Sequence, residues 1–168
     1  MSSPAGQREV FPVRLHANGE EAWFLWESSD ASDFFWSNDE GLLTADDLPS
    51  IMSNADLSAG DVKLGGQSFF DVDGALRSLR TNSSVDPELM IDIWNLLTDL
   101  FMTISGSKER FHADLSETYD AYFSRCEVAG FVGIQPETLA SQDVINAIRV
   151  LEDGVTMISG VKERLKCK

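Results

Sequence analysis

Ala22–Glu27 reads AWFLWE, and this stretch decides the fold. In a strand, successive side chains point to opposite faces. Trp23 and Leu25 then fall on one side, Phe24 and Trp26 on the other. Bulky apolar groups on both sides predict a central strand that is covered above and below. Upstream, FPVRLH at Phe11–His16 reads as its partner. The Asn18-Gly19 pair between them is the strongest short signal for a hairpin. Downstream, DFFWS at Asp33–Ser37 reads as a third strand, turning through Asn38-Asp39-Glu40-Gly41 into LLT. A short helix is expected over Asp46–Met52, capped by Asp46 or Thr44, with Pro49 in its first turn. DVKL at Asp61–Leu64 reads as a short strand. FFDVDGALRSLR then leads into a helix starting near Asp73.

The second half has a helical period. Asp86-Pro87-Glu88 is a helix start, with Asp as cap and Pro at the first helical position. Met90, Ile93, Trp94, Leu97, Leu100, Phe101 and Ile104 follow as one stripe at 3.6-residue spacing. Ser116–Arg125 reads as a second helix with Tyr119, Tyr122 and Phe123 inward, and 130–136 as a loop or short extended piece. Ser141–Ser159 reads as the last helix, with Val144, Ile148, Leu151, Val155 and Ile158 on its apolar face. The expected class is α+β: a small, mainly antiparallel N-terminal sheet packed against C-terminal helices. One domain of 168 residues is expected, strand-rich and acidic over about 10–85, helical over 86–168.

Both long helices close on an echo, ISGSKER at Ile104–Arg110 and ISGVKER at Ile158–Arg164. The segments before the helices share no frame, so a duplicated unit is not indicated. Gly106 and Gly160 each suit the left-handed position past a helix end, with the basic residues beyond it.

Charge is the informative bulk property. The net charge is -15, and no Lys or Arg occurs between Leu15 and Val62. That span carries Glu20, Glu21, Glu27, Asp30, Asp33, Asp39, Glu40, Asp46, Asp47, Asp56 and Asp61. Such a field argues against nucleic acid as partner and for a basic protein; plain solubility is the alternative. The candidate contact residues are Glu20, Glu21, Glu27, Asp30, Asp33, Asp39, Glu40, Asp46 and Asp47, with Trp36 as an aromatic anchor or a core residue. The N-terminus lacks the charged-then-apolar order of a secretory signal, and no apolar run reaches membrane-spanning length. Cys126 and Cys167 form neither a disulfide framework nor a metal spacing. A cytoplasmic location is expected.

Motifs for chemistry do not assemble. His16 and His112 have no second histidine or cysteine at ligand spacing. DVDG at Asp71–Gly74 fails as a calcium loop, because Phe69 and Arg80 would stand at its first and twelfth positions. Gly65-Gly66 has no following Lys-Ser/Thr. Cys126 follows an aromatic helix and reads as a half-buried structural thiol. No catalytic residue, metal or cofactor is assigned, and no enzyme is expected.

Three pieces, WNLLTDL at Trp94–Leu100, YDAYFSRC at Tyr119–Cys126 and the closing apolar helix, carry a resemblance. Trp94, Asn95, Asp99, Tyr119, Asp120, Phe123, Cys126 and Pro136 stand in the order of small acidic immunity proteins. These accompany contact-dependent growth inhibition and related polymorphic toxins in bacteria. The resemblance covers roughly the C-terminal half and rests mostly on core positions. It implies a cytoplasmic antidote that binds one cognate toxin domain and blocks it stoichiometrically. Nuclease toxins have basic clefts, to which an acidic surface is complementary. The alternative is a non-catalytic adaptor, homodimeric or not, whose acidity serves solubility alone.

Overall fold

The computed structural model describes residues 8–28, 33–39, 41–55, 62–129 and 139–166. The loop or short extended piece expected at 130–136 lies outside them. Strands β1 (Arg8–Ala17) and β2 (Glu20–Ser28) pair antiparallel from Glu9↔Ser28 to Ala17↔Glu20. They turn through Asn18 and Gly19, whose φ angles of 55° and 70° are those a tight hairpin demands. β2 is buried on both faces, as AWFLWE requires. Ala22 and Phe24 join Val13, Leu15 and Ala17 in the larger core, with Phe11 and Trp26 packed against it. Leu25 joins Val10, Ile51 and Ala55 in a smaller core, flanked by Trp23 and Trp36.

A short arm builds the smaller core. β3 (Phe34–Phe35) and β6 (Thr44–Ala45) pair with β2, while β4 (Ser37–Asn38) and β5 (Gly41–Leu42) form a separate hairpin. The single strand expected at Asp33–Ser37 is therefore two, interrupted at Trp36. The Trp36 N–H still bonds the Leu25 carbonyl at 2.8 Å while its indole packs against the small core. Helix α1 (Leu48–Asn54) follows. Its cap is Asp47, whose carboxylate accepts the Ser50 N–H at 2.8 Å, rather than Asp46 or Thr44.

At the opposite edge, β7 (Val62–Leu64) and β8 (Ser68–Asp71) both pair with β1, in parallel. The sheet is thus mixed within a mainly antiparallel plan. β7 stops at Val10↔Leu64 and β8 resumes at Val13↔Ser68. The gap falls at Pro12. The Val10 carbonyl accepts the Gly65 N–H, so that side of β1 faces the edge. Alternation puts Pro12 on the same side, where it has no N–H to offer.

Helix α2 (Val72–Asn82) begins near Asp73, as expected, and is capped by Asp71, which accepts the Gly74 N–H at 2.9 Å. Asp73 is freed to accept the Asn18 and Gly19 N–H groups at 2.9 and 2.8 Å. The DVDG turn thereby pins the hairpin to the helix. His16 completes the clasp, 2.8 Å from Asp71 and 3.9 Å from Asp73.

Helix α3 (Pro87–Ser105) is capped by Asp86 and begins on Pro87, as expected. Ile91, Leu96 and Thr98 are buried besides the stripe, so α3 is the central helix of its layer. Trp94, fully buried, donates its indole N–H to the Phe111 carbonyl at 3.0 Å. Helix α4 (Ser116–Ala129) turns Tyr119 and Tyr122 inward. Phe123 departs from expectation: it is 46% exposed and lies stacked beside Tyr119. Helix α5 (Ser141–Lys166) crosses α3 closely at Gly154, where a Cβ would strike Leu97.

The echo resolves into a difference. Gly106 ends α3 with φ 68°, in the left-handed cap. Gly160 does not end α5, which continues to Lys166, so Lys162 and Arg164 lie within the helix. The residue after each glycine decides. Ser107 sets up local bonds, its N–H to Ser105 Oγ and its Oγ from the Glu109 N–H. Val161 is 7% exposed and belongs to the larger core, which draws the helix onward.

Val161→Ser should cost about 1–3 kcal/mol and strip amide-exchange protection from the residues after Gly160; unchanged protection there would contradict this account. A pH effect follows from the clasp. The Asp71 hydrogen bond raises the His16 pKa. Burial pushes Asp71 up, but His16 and the Gly74 N–H outweigh it and leave Asp71 below its usual range. The His16 contribution is fully present below its unfolded pKa of about 6.5 and lost as pH rises through the folded value. His16→Gln should therefore lower the melting temperature more at pH 5.5 than at pH 8.5.

Candidate partner-binding surface

The structure separates the candidate acids into a buried one, a tethered group and an outer group. Glu27 points to the small-core side of β2 and is 3% exposed. It accepts the Trp36 indole N–H at 3.0 Å. Of the two roles open for Trp36, anchor or core, its partly buried indole packs against the small core, and Glu27 is its hydrogen-bond acceptor. A carboxylate this far inside needs such a donor.

Glu20, Glu21 and Asp46 gather around one cation that is distant in sequence. Lys162 of α5 lies 3.2 Å from the Glu20 carboxylate and 3.7 Å from that of Asp46, and donates to the Glu21 carbonyl at 2.6 Å. Its side chain is only 13% exposed. The Glu21 carboxylate is 3.4 Å from Arg14, whose guanidinium lies over the Phe69 ring. The span without bases is thus partly neutralised from outside itself. Asp47 is exposed, but its oxygen is committed to the cap of α1, and the Ser50 N–H holds its carboxyl below the usual range.

Asp33 and Asp39 are exposed, one before β3 and the other in the β4–β5 turn. Asp30 and Glu40 lie outside the described residues. β3 pairs with the far end of β2, at Trp26 and Glu27. From Glu21 to Glu27 is about 20 Å of strand. The acids therefore do not form one patch: the tethered group sits at the hairpin end and Asp33 at the other.

Asp99 belongs to the second end, and sequence reasoning did not place it there. It projects from α3, half-buried, and accepts the Trp26 indole N–H at 3.1 Å. Its helix neighbour Thr103 accepts the Phe35 N–H at 3.1 Å. Burial pushes the Asp99 carboxyl up to about 6; the Trp26 bond lowers it and the charge of Asp33 raises it further. The available signal was an acid next to the apolar stripe of α3, one position from Leu100 and two from Leu97. Phe34, beside Asp33, is 36% exposed and is the aromatic side chain this end presents.

Cys126 is half-buried and its Sγ–H donates to the Tyr122 carbonyl. Burial, then the charges of Glu88, Asp86 and Asp92, push its thiol up, opposite to what a nucleophile needs. Among the described residues, no helix is long and apolar enough to cross a membrane.

No family model matches the chain, and no curated protein or solved structure does.

Asp99→Asn keeps an acceptor for Trp26 and removes the charge. A carboxyl with a raised folded pKa is destabilising above that value, and the penalty vanishes below its unfolded pKa of about 3.8. The variant should melt higher than the parent at pH 7.5, with the margin closing through pH 6 and gone near pH 4. A margin independent of pH would rule out the charge as its cause.

Proposed function

We propose that this chain is a cytoplasmic immunity protein. In this reading it binds a basic toxin domain, a nuclease above all, and blocks it without catalysis. The observation that carries the reading is the exposed acid at the β3 end of the sheet. Asp33 is exposed there, Phe34 stands beside it and Asp99 lies behind; Asp39 is exposed in the turn of the separate β4–β5 hairpin. The sequence resemblance over Trp94–Cys126 supports it separately. An acidic rim steers a basic cleft into contact, and an exposed ring among acids supplies an anchor that charge alone lacks. Asp99 sharpens the chemistry. A half-buried carboxylate that feels another acid gains most from a partner's Lys or Arg. The Lys162 cluster is the less suitable contact, because its acids already have cations.

The second reading, an adaptor or homodimer, has one observation in its favour: Leu64 and Phe69 on β7 and β8 are 50% and 47% exposed. Light scattering across a concentration series separates it.

The decisive measurement looks for a toxin domain encoded in the neighbouring genes and uses that domain as the binding partner; a neighbourhood without one would count against the reading. Reversing Asp30, Asp33, Asp39 and Glu40 to Lys should slow association about 10- to 100-fold at low salt and leave the circular dichroism unchanged. The difference should shrink as salt brings the screening length below about 10 Å. An unchanged rate at low salt would remove the interface from this end. Failure of the chain to protect cells from that toxin would remove the immunity reading itself.

A further inference from the structure

A cleft of about 740 Å³ opens in the helical half, between the C-terminal end of α3, the segment after it and α5. It is remote in sequence from the acidic strands, and the argument for it does not depend on them. Phe101, Ile104, Phe111 and Met157 give it an apolar wall, with the Phe101 and Phe111 ring centroids 5.5 Å apart. Its polar wall is His112 between two carboxylates. Asp153 Oδ2 lies 3.0 Å from Nε2, and Asp114 Oδ1 lies 3.8 Å from Nδ1.

His112 is the unusual member. Its backbone is left-handed, with φ 54°, and its side chain is 8% exposed. Despite the 3.0 Å contact, Nε2 has no hydrogen-bond partner, because Asp153 stands off the direction a ring N–H would take. An ammonium or guanidinium carries donors only, so it would meet the Asp153 carboxylate, which the ring does not engage in a well-directed bond, and not an Nε2–H. Here the chain has not closed its own polar wall. Asp153 is half-exposed and a carboxylate can accept several hydrogen bonds, so it retains capacity toward the cleft.

The rest of the lining narrows the chemistry. Ser105 Oγ donates to the Phe101 carbonyl and Thr156 Oγ1 to the Glu152 carbonyl, so neither hydroxyl is poised as a nucleophile. The arrangement suits binding. The C-terminal end of α3 adds partial negative charge, and aromatic faces attract cations. Arg110 lines the cleft too, but its guanidinium is drawn over the Tyr119 ring at 3.9 Å, and Arg149 lies 3.3 Å from Asp114.

We propose that this cleft binds an organic cation, with an ammonium or guanidinium group on Asp153 and its apolar stem against Phe101, Phe111 and Met157. The cation can come from a free amine or from a basic side chain of a protein.

Proton–carbon NMR of the full chain, following His112, Phe111 and Met157, tests it with defined probes. Phenethylammonium represents a free amine, and N-acetylarginine amide represents a protein side chain. 3-Phenylpropionate and 2-phenylethanol match the first in shape with negative and no charge. Saturable shifts at His112 and Met157 with either cation support the proposal, and the tighter of the two identifies the source. Asp153→Asn should weaken that cation at least about tenfold and leave the signals of the β-sheet in place; Asp114→Asn should weaken it less. The proposal is overturned if the anion or the alcohol binds as tightly as the amine. It is also overturned by saturation that maps elsewhere, by undiminished binding to Asp153→Asn, or by no saturable shift at millimolar probe.

Discussion

The burial of β2 on both faces is the constraint on which the remainder depends. A strand with Phe24 and Trp26 on one side and Trp23 and Leu25 on the other cannot leave either side in water. The helical layer covers the first side. The second needs its own cover, and the chain supplies the β3–β6 arm and α1 immediately after β2. The arm is too short to form a layer of its own. It works as a lid on Val10 and Leu25, held by backbone bonds at Trp36 and Leu43 and by the Trp36–Glu27 bond. Glu27 is the polar consequence of that solution, a carboxylate on the covered face that becomes tolerable once an indole N–H meets it.

Much of this was legible because it is local. The two-sided strand, the Asn18-Gly19 turn, and Asp86 with Pro87 at the start of α3 are each determined within a few residues. What was not legible depends on partners far along the chain. Nothing near Val62 or Ser68 says that both will lie parallel to β1, or that Pro12 will separate them. The helix expected to start near Asp73 does so, but nothing local says that Asp71 caps it while Asp73 holds a turn 54 residues earlier. Gly160 looked like Gly106 because the local rule was the same. The core contact of Val161 overrode it, and a single residue following the glycine carried that information.

The candidate surface was less legible than the fold, for a related reason. A run of acids without bases suggests one field, yet sequence adjacency says little about which carboxylates share a face. Strand geometry put Glu27 inward and set Glu21 and Asp33 toward opposite ends of β2. A lysine from the last helix then neutralised one end. Helix α3 added Asp99 to the other, where burial and the charge of Asp33 raise its carboxyl against the Trp26 bond. Composition located the acidic half correctly, and three-dimensional pairing distributed its charge.

Lys162 reaches back to the Glu21 carbonyl across 141 positions. A bond of that span places the closing event of folding late, because the β1–β2 hairpin is available as soon as its own residues are, while its anchor waits for nearly all that follows. Until α5 is in place, Glu20 and Asp46 lack the Lys162 ammonium that lies near both of them in the folded chain. The growing chain is therefore held together first by apolar burial around β2. The β1–β2 hairpin and α5 are fastened to each other only when α5 docks, so the same residue that moderates the surface charge also latches the first strands to the last helix.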